Sequence, residues 1–343
     1  MLTLIYLINL RIIIKMAVYT HIDKNLLLSL LNNYNIGNLK SFEGIIEGVE
    51  NTNYKIITNK NKFILTIFEK RVNGDELPFF IELQNHLSSK NIRCPMPISD
   101  KNNNFINNLK GKKCVIMSFL EGKKIDKPDN MHCLQVGSEL AKIHNNTKDF
   151  KLERKNTLSF LNWKKILLKC KESKKINKKI PGEEHDKIKI FLDYFETIEQ
   201  ELEYLDNRWP QNLPKGVIHA DAFKDNVFFN NDKLTGLIDF YFACNDYYAY
   251  EIAICANDWC FDNSNNFQLE RYNSILEGYQ SLRRLEDDEI NYMPILLRGA
   301  ALRFLLTRLH DQLYHQDDAL VTPKNPLEYF HILQMHKKIQ LEK

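Results

Sequence analysis

The stretch 216–240 constrains the chain most: an island of β-forming apolar residues set between stretches of helical periodicity, and carrying polar side chains at fixed spacing. It reads Val217-Ile218-His219-Ala220-Asp221-Ala222-Phe223-Lys224-Asp225-Asn226-Val227-Phe228-Phe229, followed by Leu234-Thr235-Gly236-Leu237-Ile238-Asp239-Phe240. An apolar strand delivers His219 and Asp221 into a loop, and Asn226 closes that loop before a second apolar run. A short hairpin then leads into a strand that ends on Asp239. A hairpin of this kind among helices points to an α+β chain.

The flanks differ in character. Residues 23–34 predict a helix with Leu26, Leu27, Leu30 and Leu31 on one face and Asp23 near its start. Strand-like stretches follow at Ser41–Gly48, Tyr54–Ile57 and Phe63–Phe68. A helix is predicted over Leu77–Leu87, with a stop at Cys94-Pro95-Met96-Pro97. Two further strands lie around Phe105–Asn107 and Cys114–Phe119, making five strands with one helix after the third. From Asp129 onward His132–His144, Leu158–Lys169 and Ile188–Leu205 carry helical apolar spacing. A boundary near Phe119–Gly122 therefore divides a small antiparallel sheet lobe with one helix, 16–121, from a larger, mainly helical lobe, 122–343. Met1–Lys15 is apolar, lacks the basic start of a signal peptide and is too short for a span of about twenty residues. With Met16-Ala17-Val18 as an alternative start, 1–15 is expected to be a spurious or disordered extension, a membrane anchor being the alternative.

Bulk properties exclude some function classes. The net charge of +3 demands neither a nucleic-acid nor an anionic-membrane partner. Runs such as Lys174-Lys175 and Lys178-Lys179 read as solvated surface. The 7 cysteines are scattered, with no CxxC pair, as in a cytoplasmic protein with free thiols.

The island's side chains form the set that phosphoryl transfer uses. A carboxylate must accept or orient the acceptor hydroxyl's proton, and Asp221 is placed for that. Mg2+ prefers oxygen ligands, which Asn226 and Asp239 supply. His219 reads as a brace for the loop rather than a group that does the chemistry. A capped turn between two ordinary strands would need only part of this pattern; the full spacing with an apolar strand running into Asp239 argues for a kinase.

Upstream, Gly44–Tyr54 places two glycines, Gly44 and Gly48, near a strand–turn–strand whose amides, with Asn51, Thr52 and Asn53, could lie over ATP phosphates; a plain hairpin is the alternative. Kinases place a Lys or Arg in the third strand, and here that slot holds Thr66. Lys70 lies on the same strand face by period-two counting, and could reach the phosphates or stay at the surface. Glu76 and Glu82 both remain open as its partner. Met117–Gly122 resembles a hinge in which Ser118 and Leu120 would bind adenine through the backbone.

This order of glycine turn, third strand, hinge, H-x-D-x-x-x-x-N and strand-Asp resembles the aminoglycoside phosphotransferase/choline kinase superfamily, a protein-kinase-like fold. Several blocks are similar, more narrowly, to bacterial homoserine kinases of that fold: Met16–Thr20, Glu47–Tyr54, Glu69–Asn73, Leu77–Phe80, Gly216–Phe229, Gly236–Asp246, Ala253–Cys255 and Trp259–Phe261. The resemblance spans Met16 to about Leu313, and Asp239–Asp246 is its most specific part. It implies transfer of the ATP γ-phosphate to the hydroxyl of L-homoserine on the threonine pathway, with ATP and Mg2+ as cofactors. A zwitterionic acceptor needs a carboxylate for its ammonium, for which Asp246 and Glu251 are candidates, and a cation for its carboxylate, for which Arg303 and Arg308 are. Asp246 with Arg303 is the leading pair; the alternative is that these charges pair with one another inside the helical lobe. Trp259 reads as core, and Tyr241 and Phe242 as pocket wall. Other acceptors of the same fold (choline, an aminoglycoside or methylthioribose) and a non-catalytic nucleotide-binding module are the competing readings.

Overall fold

Asp23 opens the first helix as expected: its carboxylate accepts a hydrogen bond from the Leu26 N–H at 2.9 Å, satisfying a donor the helix cannot. The computed structural model describes residues 20–45, 51–69, 74–173, 183–262, 264–314 and 323–338. Met1–Lys15, Gly48 and Lys70 lie outside the described residues. The chain divides into two compact units, one running to Glu121 and including Gly236–Tyr241, the other comprising Gly122–Thr235 and Phe242 onward.

In the first unit, helix α1 (Lys24–Leu31) buries Leu27, Leu30 and Leu31. An antiparallel sheet is built from β1 (Leu39–Ile45), β2 (Thr52–Thr58), β3 (Lys62–Ile67), β4 (Pro97–Ile98), β5 (Ile106–Leu109) and β6 (Lys112–Ser118), with α2 (Leu77–Ser89) inserted after β3. The order is β1-β2-β3-β6-β4, and β5 also pairs with β6. Alternate residues of β2 are buried, starting at Thr52, as a sheet with one packed face requires. The expected five strands become six because Pro97–Ile98 pairs with Met117 and Ile116. Two residues are too few to show alternation, and Pro97, which has no N–H, is tolerated at the edge. Leu27, Ile56, Leu65, Ile67, Cys114 and Ile116 form the fully buried centre.

The segment Gly236–Tyr241 joins this unit through backbone contact: Leu237 N–H donates to the Arg93 carbonyl at 3.1 Å. Gly236 has φ +148°, and a Cβ there would lie 2.3 Å from the Arg93 carbonyl oxygen, so only glycine permits this approach. Tyr241 packs edge-on against Phe68 and Phe80, with ring centroids 5.3 and 5.6 Å away.

The second unit holds α3 (Asn130–Asn146), α4 (Phe160–Lys171), α5 (Glu183–Asp206), α6 (Tyr248–Trp259), α7 (Leu269–Gln280), α8 (Asp287–Tyr314) and α9 (Leu327–Lys338). Between them lie β7 (Lys215–Ile218), paired antiparallel with β10 (Cys244–Tyr247), and the hairpin β8 (Val227–Asn230) and β9 (Lys233–Leu237), of which Gly236 and Leu237 are counted with the first unit. Helix α6 is apolar nearly all round and accordingly sits in the interior. Helices α3 and α7 approach to backbone contact: a Cβ on Gly278 would lie 1.9 Å from the Leu134 carbonyl oxygen. All seven cysteines are buried thiols. Among the described residues no helix is long and apolar enough to cross a membrane.

Candidate active site

Strand β7 leads the candidate residues His219 and Asp221 out of a buried strand pair. Ile218 stands opposite Cys244 and Val217 opposite Asn245, all but Asn245 buried. His219 follows at 1% exposure, and its Nδ1 accepts a hydrogen bond from the Asp221 N–H at 3.3 Å. Asn226 closes a 3-10 turn (Lys224–Asn226), and its Nδ2 donates to both the carbonyl and the Oδ2 of Asp221, each at 2.9 Å. The amide nitrogen is thereby fixed on Asp221 and the amide oxygen Oδ1 turned away from it.

The loop is held from below by side chains of α6 and α8. The Glu251 carboxylate accepts the His219 N–H, and the Ala220 N–H at 3.1 and 3.2 Å to its two oxygens. Arg303 Nη1 donates to the Ala220 carbonyl at 2.8 Å. Trp259 Nε1 donates to the Ala222 carbonyl at 2.9 Å, and Asp258 accepts the Lys224 N–H at 2.7 Å. Burial pushes the Asp258 carboxyl up against the opposing pull of Lys224.

In the first unit, Thr66 stands opposite Asn53 and its hydroxyl donates to Asn53 Oδ1 at 2.8 Å. Tyr241 hydrogen-bonds to Thr66; burial pushes its phenol up, and the nearby charge of Asp239 adds to this. Asp239 itself lies in the left-handed region at φ +63°. The third-strand slot read as Thr66 thus carries a neutral chain of hydroxyls and an amide. Asn51 Oδ1 accepts the Glu69 N–H at 3.3 Å, and Thr52, fully buried, donates to Glu69 at 2.8 Å. Thr20 donates to the same carboxylate at 2.6 Å, and Lys112 forms an ion pair with it. Burial alone would push the Glu69 carboxyl up; Lys112 and the two threonine hydroxyls outweigh that and hold it below its usual range. At the expected hinge, Ser118 exchanges backbone and side-chain hydrogen bonds with Met96, each at 2.8 Å, and Leu120 is partly exposed.

The acceptor candidates separate. Asp246 accepts from Asn156 Nδ2 at 2.7 Å and from the Tyr247 N–H at 2.8 Å. Burial pushes its carboxyl up, with Asn156, the Tyr247 N–H and Arg303 opposing. Glu251 is fully buried beneath the loop, and Arg303, at 2% exposure, has one nitrogen on the Ala220 carbonyl. Arg308 is tied to Glu328 at 2.5 Å and to the Asn325 carbonyl at 3.2 Å, neither of them among the acceptor candidates. Trp259 is core, with a hydrogen-bonding task in addition. Sequence reasoning missed the Glu69–Lys112 pair and the loop-bracing tasks of Glu251 and Arg303. One signal was present: Glu251 is the single acid in the first eight residues of an otherwise apolar helix, where a carboxylate needs buried partners.

Residues 41–285 match the phosphotransferase enzyme family. Over nearly the full length the chain is 43% identical to the homoserine kinase of Bartonella henselae, covering 93% of this chain and 96% of the relative. It is 44% identical to the homoserine kinase of Sinorhizobium fredii, covering 94% and 95%. Among solved structures it is similar to a spectinomycin phosphotransferase in complex with ADP and spectinomycin, at a TM-score of 0.68 and 14% identity, covering 92% and 95%. The fold is that of the protein-kinase-like phosphotransferases. The chain belongs to the phosphotransferase enzyme family, within its homoserine kinases.

Proposed function

We propose that the protein transfers the γ-phosphate of ATP to the hydroxyl of L-homoserine, giving O-phospho-L-homoserine and ADP for threonine biosynthesis. The observation that carries the acceptor is identity of 43–44% to proteins named homoserine kinase over more than nine-tenths of both lengths. The geometry of the Asp221 loop supports the chemistry. The homoserine oxygen attacks the γ-phosphorus, the bond from that phosphorus to the β,γ-bridging oxygen breaks, and the proton passes from the hydroxyl to Asp221.

The Asn226 amide hydrogen bonds fix the Asp221 carboxylate in one orientation, which preorganises it for the acceptor proton. Asn226 Oδ1 and the Asp239 carboxylate are hard oxygen donors that suit Mg2+, and they are the ligands proposed for it. Bound Mg2+ would neutralise charge on the transferring phosphate. Asn51, Thr52, Asn53 and Thr66, with the backbone at Ser118 and Leu120, are the nucleotide contacts proposed. Asp246 is the residue proposed for the acceptor's ammonium. Arg303, expected to bind its carboxylate, fits a brace better, because it is buried and bonded to the loop. We assign the enzyme to the cytoplasm, where seven buried thiols stay reduced.

The test is ADP release with MgATP and a panel of L-homoserine, choline, an aminoglycoside and methylthioribose. Homoserine should give the highest kcat/KM. Turnover on another member of the panel with none on homoserine would overturn the acceptor assignment and leave phosphoryl transfer standing.

A further inference from the structure

A threonine hydroxyl has one proton to donate. That of Thr66 goes to Asn53 Oδ1 at 2.8 Å, so in its hydrogen bond with Tyr241 the threonine oxygen accepts and the phenol donates. The direction of the chain is therefore fixed: Tyr241 donates to Thr66, and Thr66 donates to Asn53. The same count settles its far end. With its oxygen held by Thr66, the Asn53 amide turns its NH2 group, which carries two donors, away from the threonine.

The place of this chain in the first unit is equally specific. Asn53 and Thr66 are cross-strand partners, and along β2 and β3 they alternate with Tyr54, Leu65 and Ile67 of the core cluster. Alternation puts them on the opposite face of the sheet. Tyr241 meets Thr66 on that face, its ring held edge-on by Phe68 and Phe80. The phenol also feels the charge of Asp239, the carboxylate proposed for Mg2+. Kinases place a phosphate-gripping lysine in the third strand, and here the slot holds Thr66. A phosphate oxygen only accepts hydrogen bonds. Thr66 and Tyr241 have committed their single protons within the chain, so the donor the slot presents is the Asn53 NH2 group.

We propose that Asn53 Nδ2 is the donor that grips a phosphate of the nucleotide, and that Thr66 and Tyr241 are positioning residues that orient it, a relay of neutral groups in place of the third-strand cation. This rests on the kinase reading of the site and is independent of which acceptor is used. It narrows the part of Thr66, which bears on the phosphate through Asn53, and it gives Tyr241 a task beyond that of pocket wall.

The test reads binding rather than turnover: ADP with Mg2+ by titration calorimetry, and adenosine by competition against ADP. Asn53→Asp keeps an oxygen for Thr66 but replaces both donors by a charge that repels phosphate. The dissociation constant for ADP should rise about ten- to a hundredfold, while that for adenosine stays within about twofold of wild type. Tyr241→Phe keeps the ring against Phe68 and Phe80 and removes the first donor; Thr66→Val keeps the shape of the threonine and removes the relay. Each should weaken ADP about three- to tenfold, and the two together no more than the larger alone, because a relay is broken only once. Thr66→Ser, which retains the hydroxyl, should recover most of what Thr66→Val loses.

Thermal midpoints without ligand score the folding of each variant. Tyr241→Phe, which differs by one oxygen, decides the matter if Asn53→Asp proves unstable. Adenosine weakened as much as ADP would overturn the proposal, because the loss would then lie in the shape of the pocket and not at a phosphate. So would ADP affinity within about twofold of wild type in Asn53→Asp, or additive losses in the Thr66→Val, Tyr241→Phe double variant. A wild type that binds no ADP would sink the kinase reading itself, whereas a wild type that binds ADP with no phosphate-selective loss in the variants sinks only the relay.

Discussion

Replacing Trp259 by Phe removes one hydrogen bond and part of one ring from beneath the loop that carries Asp221. Trp259 and Ala222 are both fully buried, and the indole N–H reaches the Ala222 carbonyl at 2.9 Å. Phenylalanine cannot donate, so the carbonyl loses this partner at a depth where water does not replace it; that costs about 1–3 kcal/mol. The smaller ring leaves a void, adding about 1–2 kcal/mol as a fraction of the cost of full truncation of a buried aromatic. Together these should lower the thermal midpoint by roughly 5–10 °C. The loop one residue past Asp221 loses a tether, and kcat should drop about tenfold, equivalent to about 1.4 kcal/mol of barrier. Differential scanning calorimetry and steady-state kinetics on homoserine measure both. A midpoint within about 1 °C of wild type with unchanged kcat would refute the reasoning, because it would mean that the indole bond carries no net energy.

Two further outcomes follow from the second unit. Gly278→Ala would place a Cβ 1.9 Å from the Leu134 carbonyl oxygen, a backbone atom that cannot swing aside. Urea unfolding should show a loss of at least about 1–3 kcal/mol, and a neutral result would mean that α3 and α7 can separate without cost. His336, buried with Nε2 2.6 Å from Asn257 Oδ1, has its pKa pushed from 6.5 down to about 3 by burial and by Arg298. The unfolded chain takes a proton near pH 6.5 where the folded chain does not. Stability is therefore unaffected by this group above 6.5 and declines as pH falls from 6.5 towards 3, by up to about 1.4 kcal/mol per pH unit. His336→Gln should flatten the profile of unfolding free energy in that window, and an unchanged slope would assign the acid sensitivity elsewhere.

The parts of the fold that the sequence made legible are those with long periodic patterns. The helix predicted over Leu77–Leu87 is α2 (Leu77–Ser89), and Ile188–Leu205 lies within α5 (Glu183–Asp206). The two-residue strand at Pro97 was hidden, since it has no alternation to detect and begins with a residue that breaks strands. The candidates Asp221, Asn226 and Asp239 stood out in the sequence because they sit at fixed offsets along one short segment. Glu251 and Arg303 did not, because they lie 31 and 83 residues from Ala220 in the chain and meet it only through packing. Their charges were visible, and their natural reading was attraction to a zwitterionic acceptor. The structure turns that attraction inward, onto the backbone of the loop. Thr66 departed from the lysine pattern in sequence, and its partners Asn53 and Tyr241 became apparent only once β2 and the segment after Asp239 were in place.

The central claim is that the Asp221 carboxylate, fixed by Asn226, takes the proton of the homoserine hydroxyl. Asp221→Asn keeps the side chain's size while removing its basicity, so single-turnover transfer from MgATP to homoserine tests it directly. The account predicts a rate lower by about 10²–10⁴-fold, with the dissociation constant for MgATP within about threefold of wild type. Transfer within about tenfold of the wild-type rate would contradict it, and would move the proton-accepting role away from Asp221.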